Sequence, residues 1–388
     1  MTPEILNQAV RHCRLIIGEE STTTDAKIDQ AIEMVKNLLG ADNIDTIRLK
    51  RELQTIYSTQ IETFRILVGR ERRQPWLNDF KANEQSEWKF WKRYKEYLEN
   101  KGFAPRIIEN LDILTDRILD NMFNPKLNDI VLGKKGLVVG QVQSGKTANY
   151  TGLICKAADA GFNFIIVLAG IHNNLRSQTQ ARLDEGFLGF DTQFERVYAN
   201  NAQNKIGVGR STLYPNLVAH SITTSEEKGD FTKRAAGIVN FNTADPILLV
   251  IKKNVSVLRR LYTWLSTQDN TNSKSVLVID DEADNASINT NRAELNPTRI
   301  NGLIRDIINI FNRTAYVGYT ATPFANIFIA QDDTDLFPQD FIINLPAPSN
   351  YIGPEKVFGT SLTPDENNDD ILPIVFRVSD YSNFVPEG

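Results

Sequence analysis

The sequence predicts an α/β fold, a parallel sheet flanked by helices, preceded by an α-helical region. Three observations carry that prediction. Residues 1 to 128 show helical periodicity. From Leu137 onward, short apolar runs alternate with helical stretches. The first of those runs leads into a glycine-rich turn, Gly140-Gln141-Val142-Gln143-Ser144-Gly145-Lys146-Thr147, that opens a helix-like stretch from Ala148 to Ala160. The expected division is a helical domain over 1–128, a sheet-containing lobe over 129–345 and a loop-rich tail over 346–388.

Composition sets outer bounds. At 388 residues the chain has room for two or three domains of about 150 residues each. Apolar content of 41% and charged content of 23% are those of an ordinary globular protein. A formal charge of −5 gives no overall basic signature, so any nucleic-acid contact must use a local patch. The two cysteines, Cys13 and Cys155, lie far apart, and His12, His172 and His220 do not cluster. That spacing argues against a zinc site and against a Cys–His nucleophile pair. The sequence holds no apolar run near 18 residues and no signal-peptide core, so a cytoplasmic protein without membrane contact is expected.

The helical region reads as follows. Asp25 can cap a helix with apolar positions Ile28, Ile32, Val35 and Leu39, stopped by Gly40. Ile44 to Leu67 also has a helical pattern. Trp88, Trp91, Tyr94 and Leu98 share one helix face. Such an aromatic stripe can stack bases, but a packed core face is the simpler reading. Ile107, Leu111, Leu114, Ile118 and Met122 form another face, ended by Pro125.

The strands then follow as Leu137–Val139, Phe164–Leu168, Ile247–Ile251, Val276–Ile279 and Ala315–Tyr319. Near-continuous apolar strands between helices predict a parallel sheet covered on both faces. Ligands of such sheets sit outside the carboxyl ends of the strands. The stretch from Phe187 to Pro246 reads as an irregular insertion with some helix.

Polar motifs collect at those ends. The spacing G-x-x-x-x-G-K-[ST] is that of a P-loop, in which backbone N–H groups cradle phosphates at a helix N-terminus. The expected nucleotide contacts are Gly140 through Ala148. Lys146 reaches the β- and γ-phosphates, and Thr147 ligates Mg²⁺. After the fourth strand comes Asp280-Asp281-Glu282-Ala283-Asp284. Here Asp281 is the expected metal partner and Glu282 the base that orients and deprotonates water. Asp280 leaves open which aspartate faces the metal. After the fifth strand, Thr320-Ala321-Thr322-Pro323 offers hydroxyls, Thr320 and Thr322, that can couple the carboxylates to a nucleic-acid surface. After the second strand, Asn174, Arg176 and Gln178 are candidate backbone contacts of a nucleic acid, as are Lys252 and Lys253 after the third. Arg176 and Arg182 could equally be surface helix residues.

The order P-loop, acidic motif, T-A-T-P resembles the first motor lobe of superfamily 2 helicases and translocases, a RecA-like lobe. More specifically, GLVVGQVQSGKTANYTGLICKAADAGFNFIIVLAGIHNNLRSQTQARLDEGFLG, VLVIDDEADNASIN and YVGYTATPFANIFI resemble the Z1-domain family, whose members are often labelled endonucleases. The resemblance covers roughly Gly136 to Pro354. It implies a helicase-like ATPase using ATP and Mg²⁺. It also implies DNA as partner, with methyltransferase and nuclease proteins nearby, in bacterial restriction or phage-defence systems.

Two features depart from that pattern. A helicase motor needs a second lobe with an arginine for the γ-phosphate, and no such motif follows Pro323, so the chain reads as the front portion of a longer protein. No nuclease constellation is recognisable either. The leading expectation is an ATP-driven DNA translocase or remodeller. The alternatives are an ATP-dependent assembly switch without translocation, and an endonuclease whose nuclease residues lie outside this chain.

Overall fold

The computed structural model describes residues 3–18, 25–40, 44–58, 66–69, 75–82, 87–127, 132–140, 145–193, 204–287, 298–327 and 335–345. The expected loop contacts Gln141, Val142, Gln143 and Ser144, and the tail from residue 346, lie outside the described residues.

The chain runs α1 (Pro3–Ile17), α2 (Asp25–Leu39), α3 (Thr46–Ser58), β1 (Ile66–Val68), α4 (Leu77–Ala82), α5 (Lys89–Asn100), α6 (Pro105–Asn121) and β2 (Leu132–Val139). It continues through α7 (Lys146–Ala160), β3 (Phe164–Ala169), α8 (Asn173–Leu183), β4 (His220–Ser221), α9 (Lys233–Ala236), β5 (Ile247–Ile251) and α10 (Val255–Leu265). It ends with β6 (Ser275–Asp281), α11 (Arg299–Ile308), β7 (Arg313–Thr320), α12 (Phe324–Ile327) and β8 (Phe341–Asn344).

One eight-stranded sheet has the order β1-β8-β2-β7-β6-β3-β5-β4. Neighbours pair in parallel except β1, which runs antiparallel to β8. The central strands β3, β5 and β7 are buried along their whole length, as strands covered on both faces must be. One face carries α5, α6 and α7, with Trp91, Tyr94, Ile118, Leu153 and Ile154 packed on Leu277, Ile279 and Val317. The opposite face carries α9, α10 and α11, with Leu258, Leu261 and Ile304 packed on Val276, Val278 and Tyr316.

The expected boundary at residue 128 does not separate two cores. Among the described residues, α1 to α3 have a core of their own, built from Leu6, Cys13, Ile28, Val35 and Leu49 among others. Helices α5 and α6 belong to the core of the sheet. Buried Lys156 of α7 ties them together, pairing with Asp112 and with Asp116 at 2.7 Å while lying 4.4 Å from the Trp91 ring. Ile66 and Leu67, read from sequence as the end of a helix, belong instead to the edge strand Ile66–Val68. Trp91, Tyr94 and Leu98 of the aromatic stripe are buried in the core, whereas Trp88 precedes the helix and is half-buried against that core.

Candidate functional site

The register levels the carboxyl ends of the central strands. Val139 pairs with Thr320, Tyr319 with Asp281, and Asp281 with Ala169. Leu168 pairs with Ile251, so the Lys252 turn leaves the same edge. The glycine turn, the T-A-T-P turn, the acidic turn and the Gly170 corner therefore emerge side by side. The strand carrying the threonines, β7, lies between the glycine-loop strand β2 and the acidic strand β6. The Gly140 N–H donates to the Thr320 carbonyl at 2.9 Å, joining two of these turns.

At the loop, Gly145 has φ +84°, and a Cβ placed there would meet nothing within 4 Å. A left-handed glycine facing open space is how a phosphate-cradling turn exposes its backbone. Half-buried Lys146 donates from Nζ to the Gly140 carbonyl at 2.8 Å, across the mouth of the loop. Burial pushes its ammonium down from the ordinary lysine range, against the pull of Asp281, Asp284 and Glu282. The lysine thus senses all three carboxylates. Thr147 accepts a hydrogen bond on its hydroxyl from Arg182 Nη1 at 3.0 Å.

The acidic turn separates its carboxylates by face. Successive side chains of a strand point to opposite sides, so Asp280 and Asp281 cannot both meet the loop helix. Asp280 lies on the α10 side, fully buried. Its Oδ1 is 2.7 Å from Lys253 Nζ, and its Oδ2 accepts from the Tyr316 hydroxyl at 2.5 Å. Asp281 lies on the α7 side, where its Oδ2 accepts from the Tyr150 hydroxyl at 3.3 Å. Burial raises the Asp281 carboxyl above the usual range, and the adjacent Glu282 raises it further. Asp281 is therefore the aspartate turned toward the loop.

Glu282 is exposed, with φ +54°, and its carboxylate lies over the Gly170 corner, 3.5 Å from where a Cβ on Gly170 would stand. Asp284 is clamped by both threonines of T-A-T-P. Thr320 Oγ1 donates to Asp284 Oδ1 at 2.7 Å, and Thr322 Oγ1 donates to Asp284 Oδ2. The expected link between these threonines and the acidic motif is thus made through its last carboxylate.

Among the described residues, no group of three or more His, Cys, Asp or Glu could by itself hold a metal ion. The hydroxyl of Thr147 and the carboxylate of Asp281 are oxygen donors of the type that Mg²⁺ takes. That ion is held by one or two protein oxygens plus phosphates and water rather than by an all-protein cage.

Two expected nucleic-acid contacts need correcting. The Arg176 guanidinium is fully buried, donating to the Thr224 carbonyl at 2.7 Å and to the Glu226 carbonyl. Lys253 is fully buried on Asp280 and the carbonyls of Glu282 and Asn285. Both hold the fold together and neither is presented to a phosphate backbone. Lys252 is half-buried and donates to Asn173 Oδ1 at 2.8 Å. Asn174 and Gln178 are exposed on α8. Four residues apart, they share one helix face.

No family model and no curated protein matches the chain. Among solved structures, the Sulfolobus solfataricus SWI2/SNF2 ATPase core in complex with dsDNA is similar to it, with a TM-score of 0.29 and 13% identity. The match covers 58% of this chain and 34% of that one, so the chain spans about a third of that structure's length.

Sequence reasoning missed Tyr150, Arg182 and Asp284 as parts of the site. Tyr150 had a signal, since it stands one helical turn after Lys146 and so lies on the same face. Asp284 could have been found as the last residue of D-E-A-D. Arg182 had none, because its partner lies 35 residues away.

Proposed function

We propose that this chain is the nucleotide-binding lobe of a helicase-like ATPase that acts on DNA, of the Z1-domain kind and from a bacterial restriction or phage-defence system. One arrangement carries the reading. Lys146 and Thr147, Asp281 and Glu282, and Thr320 and Thr322 leave neighbouring strands at one sheet edge, with both threonines bonded to the acidic motif. A Mg²⁺–ATP bound there would supply the scissile phosphoanhydride and the cation that neutralises its charge.

In this reading the chain's own groups divide the work. Lys146 leaves the Gly140 carbonyl to meet phosphate oxygens. Thr147 and Asp281 hold the cation. Glu282 holds water and takes its proton on a carboxylate oxygen. Thr320 and Thr322 report the position of Asp284 to the surface formed by α8, where Asn174 and Gln178 are exposed to contact a backbone without reading sequence.

Equilibrium titration with a fluorescent ATP analogue in Mg²⁺ tests the site. Lys146→Ala is expected to abolish binding while the melting temperature is retained. Hydrolysis by the wild-type protein is expected to rise when duplex DNA is added. Equal turnover with and without DNA would overturn the motor assignment and leave the nucleotide site standing.

A further inference from the structure

Arg182 stands in the last turn of α8 and is exposed, yet its guanidinium is held at the first turn of α7. It donates to the one hydroxyl of the glycine motif that is suited to a metal ion, Thr147 Oγ1, at 3.0 Å. Tyr150 stands three residues after Thr147 on the same face of α7, and its hydroxyl donates to Asp281 at 3.3 Å. Arg182 therefore places a positive charge at the head of a short polar chain whose other end is the Asp281 carboxylate. Thr147 and Asp281 are also the two residues that would hold the cation in the proposed site.

We infer that Arg182 is a built-in substitute for the divalent cation, competing with it for Thr147 and setting how strongly nucleotide binding depends on metal. The inference rests on the reading of this edge as a nucleotide site. A guanidinium is a donor only and carries a full charge at all working pH. Sharing one oxygen with a metal ion would put the two cations about 4 Å apart, where they repel each other even at a protein surface. A cation arriving at Thr147 must turn Arg182 out. Where metal is scarce, the arginine is already in place to meet phosphate oxygens, with a fork geometry that suits them.

ADP binding measured by calorimetry in Mg²⁺ and in EDTA separates the possibilities. Wild-type protein is expected to keep measurable ADP affinity in EDTA. Arg182→Gln is expected to lose about tenfold in EDTA, the usual weight of a charged hydrogen bond, and to hold or gain affinity in Mg²⁺. The Mg²⁺/EDTA affinity ratio then widens about tenfold. Arg182→Lys, which keeps a donor and a charge, is expected to retain the wild-type ratio, and it guards against misfolding of the glutamine variant. An unchanged ratio in Arg182→Gln overturns the substitution role while ADP binding itself upholds the site. Absence of ADP binding by wild type in both buffers overturns the site and this inference with it.

Discussion

Two adjacent aspartates of β6 have opposite surroundings and should fail in opposite ways. Asp280 and Lys253 form a fully buried ion pair, completed by the Tyr316 hydroxyl. Removing one partner of such a pair leaves the other charged and desolvated, a loss of about 3–5 kcal/mol. Asp280→Asn is expected to lower unfolding free energy by that amount in urea titrations. Asp281 is different. Its carboxyl is already held above the usual range by burial and by Glu282, so neutralising it removes a strain on the native state. Asp281→Asn is expected to keep or slightly raise stability, and to lose Mg²⁺-dependent nucleotide binding.

The glycine-loop strand is seated by a close approach. Gly136 pairs with Phe341 across β2 and β8, and a Cβ on Gly136 would lie 2.0 Å from the Phe341 ring. The Phe341 ring, buried in the core, would have to shift away from β2 to make room. Gly136→Ala is expected to destabilise by about 1–3 kcal/mol, the usual range for overpacking. Phe341→Leu should recover part of the loss in the double variant, as a cycle of thermal melts would register. The contact also explains why β8 matters to the site. It fixes one side of β2, and the Leu345 N–H donates to the Val139 carbonyl at 2.7 Å, one residue before the loop begins.

Across the molecule, two buried carboxyls give stability a pH dependence. Asp159 of α7 accepts the backbone N–H groups of Phe90 and Trp91 at 3.0 and 2.9 Å, capping the start of α5. Asp184, just after α8, accepts from Gln180 Nε2 at 2.9 Å and from Thr192. Burial lifts each to about 7, an effect that these hydrogen bonds only partly offset. An unfolded aspartate titrates near 3.9. Between roughly pH 4 and 7 the native state therefore holds more protons than the unfolded chain, so stability falls as pH rises through that window. The melting temperature is expected to be higher at pH 5.5 than at pH 8. Asp159→Asn and Asp184→Asn should each flatten that slope.

Short-range pattern was enough for the five central strands, for the strand that ends before Gly140 and the helix that starts at Lys146, and for the acidic and T-A-T-P turns, because each is a few consecutive residues obeying a local rule. It also made the core role of Trp91, Tyr94 and Leu98 legible, since helical spacing directs side chains to one face. Strands at and beside the edge were not legible. Ile66–Val68 at the edge, and Phe341–Asn344 between it and β2, are too short to show a period and are set by their pairing partners. Nor could spacing say whether a polar side chain faces water. Arg176, Lys253 and Arg182 look alike along the chain, yet two are sealed inside and the third rests on Thr147. That outcome depends on which layer covers each face of the sheet. The choice between Asp280 and Asp281 has the same origin: strand geometry puts them on opposite faces, and only the packing of α7 against one face selects the aspartate that meets the loop.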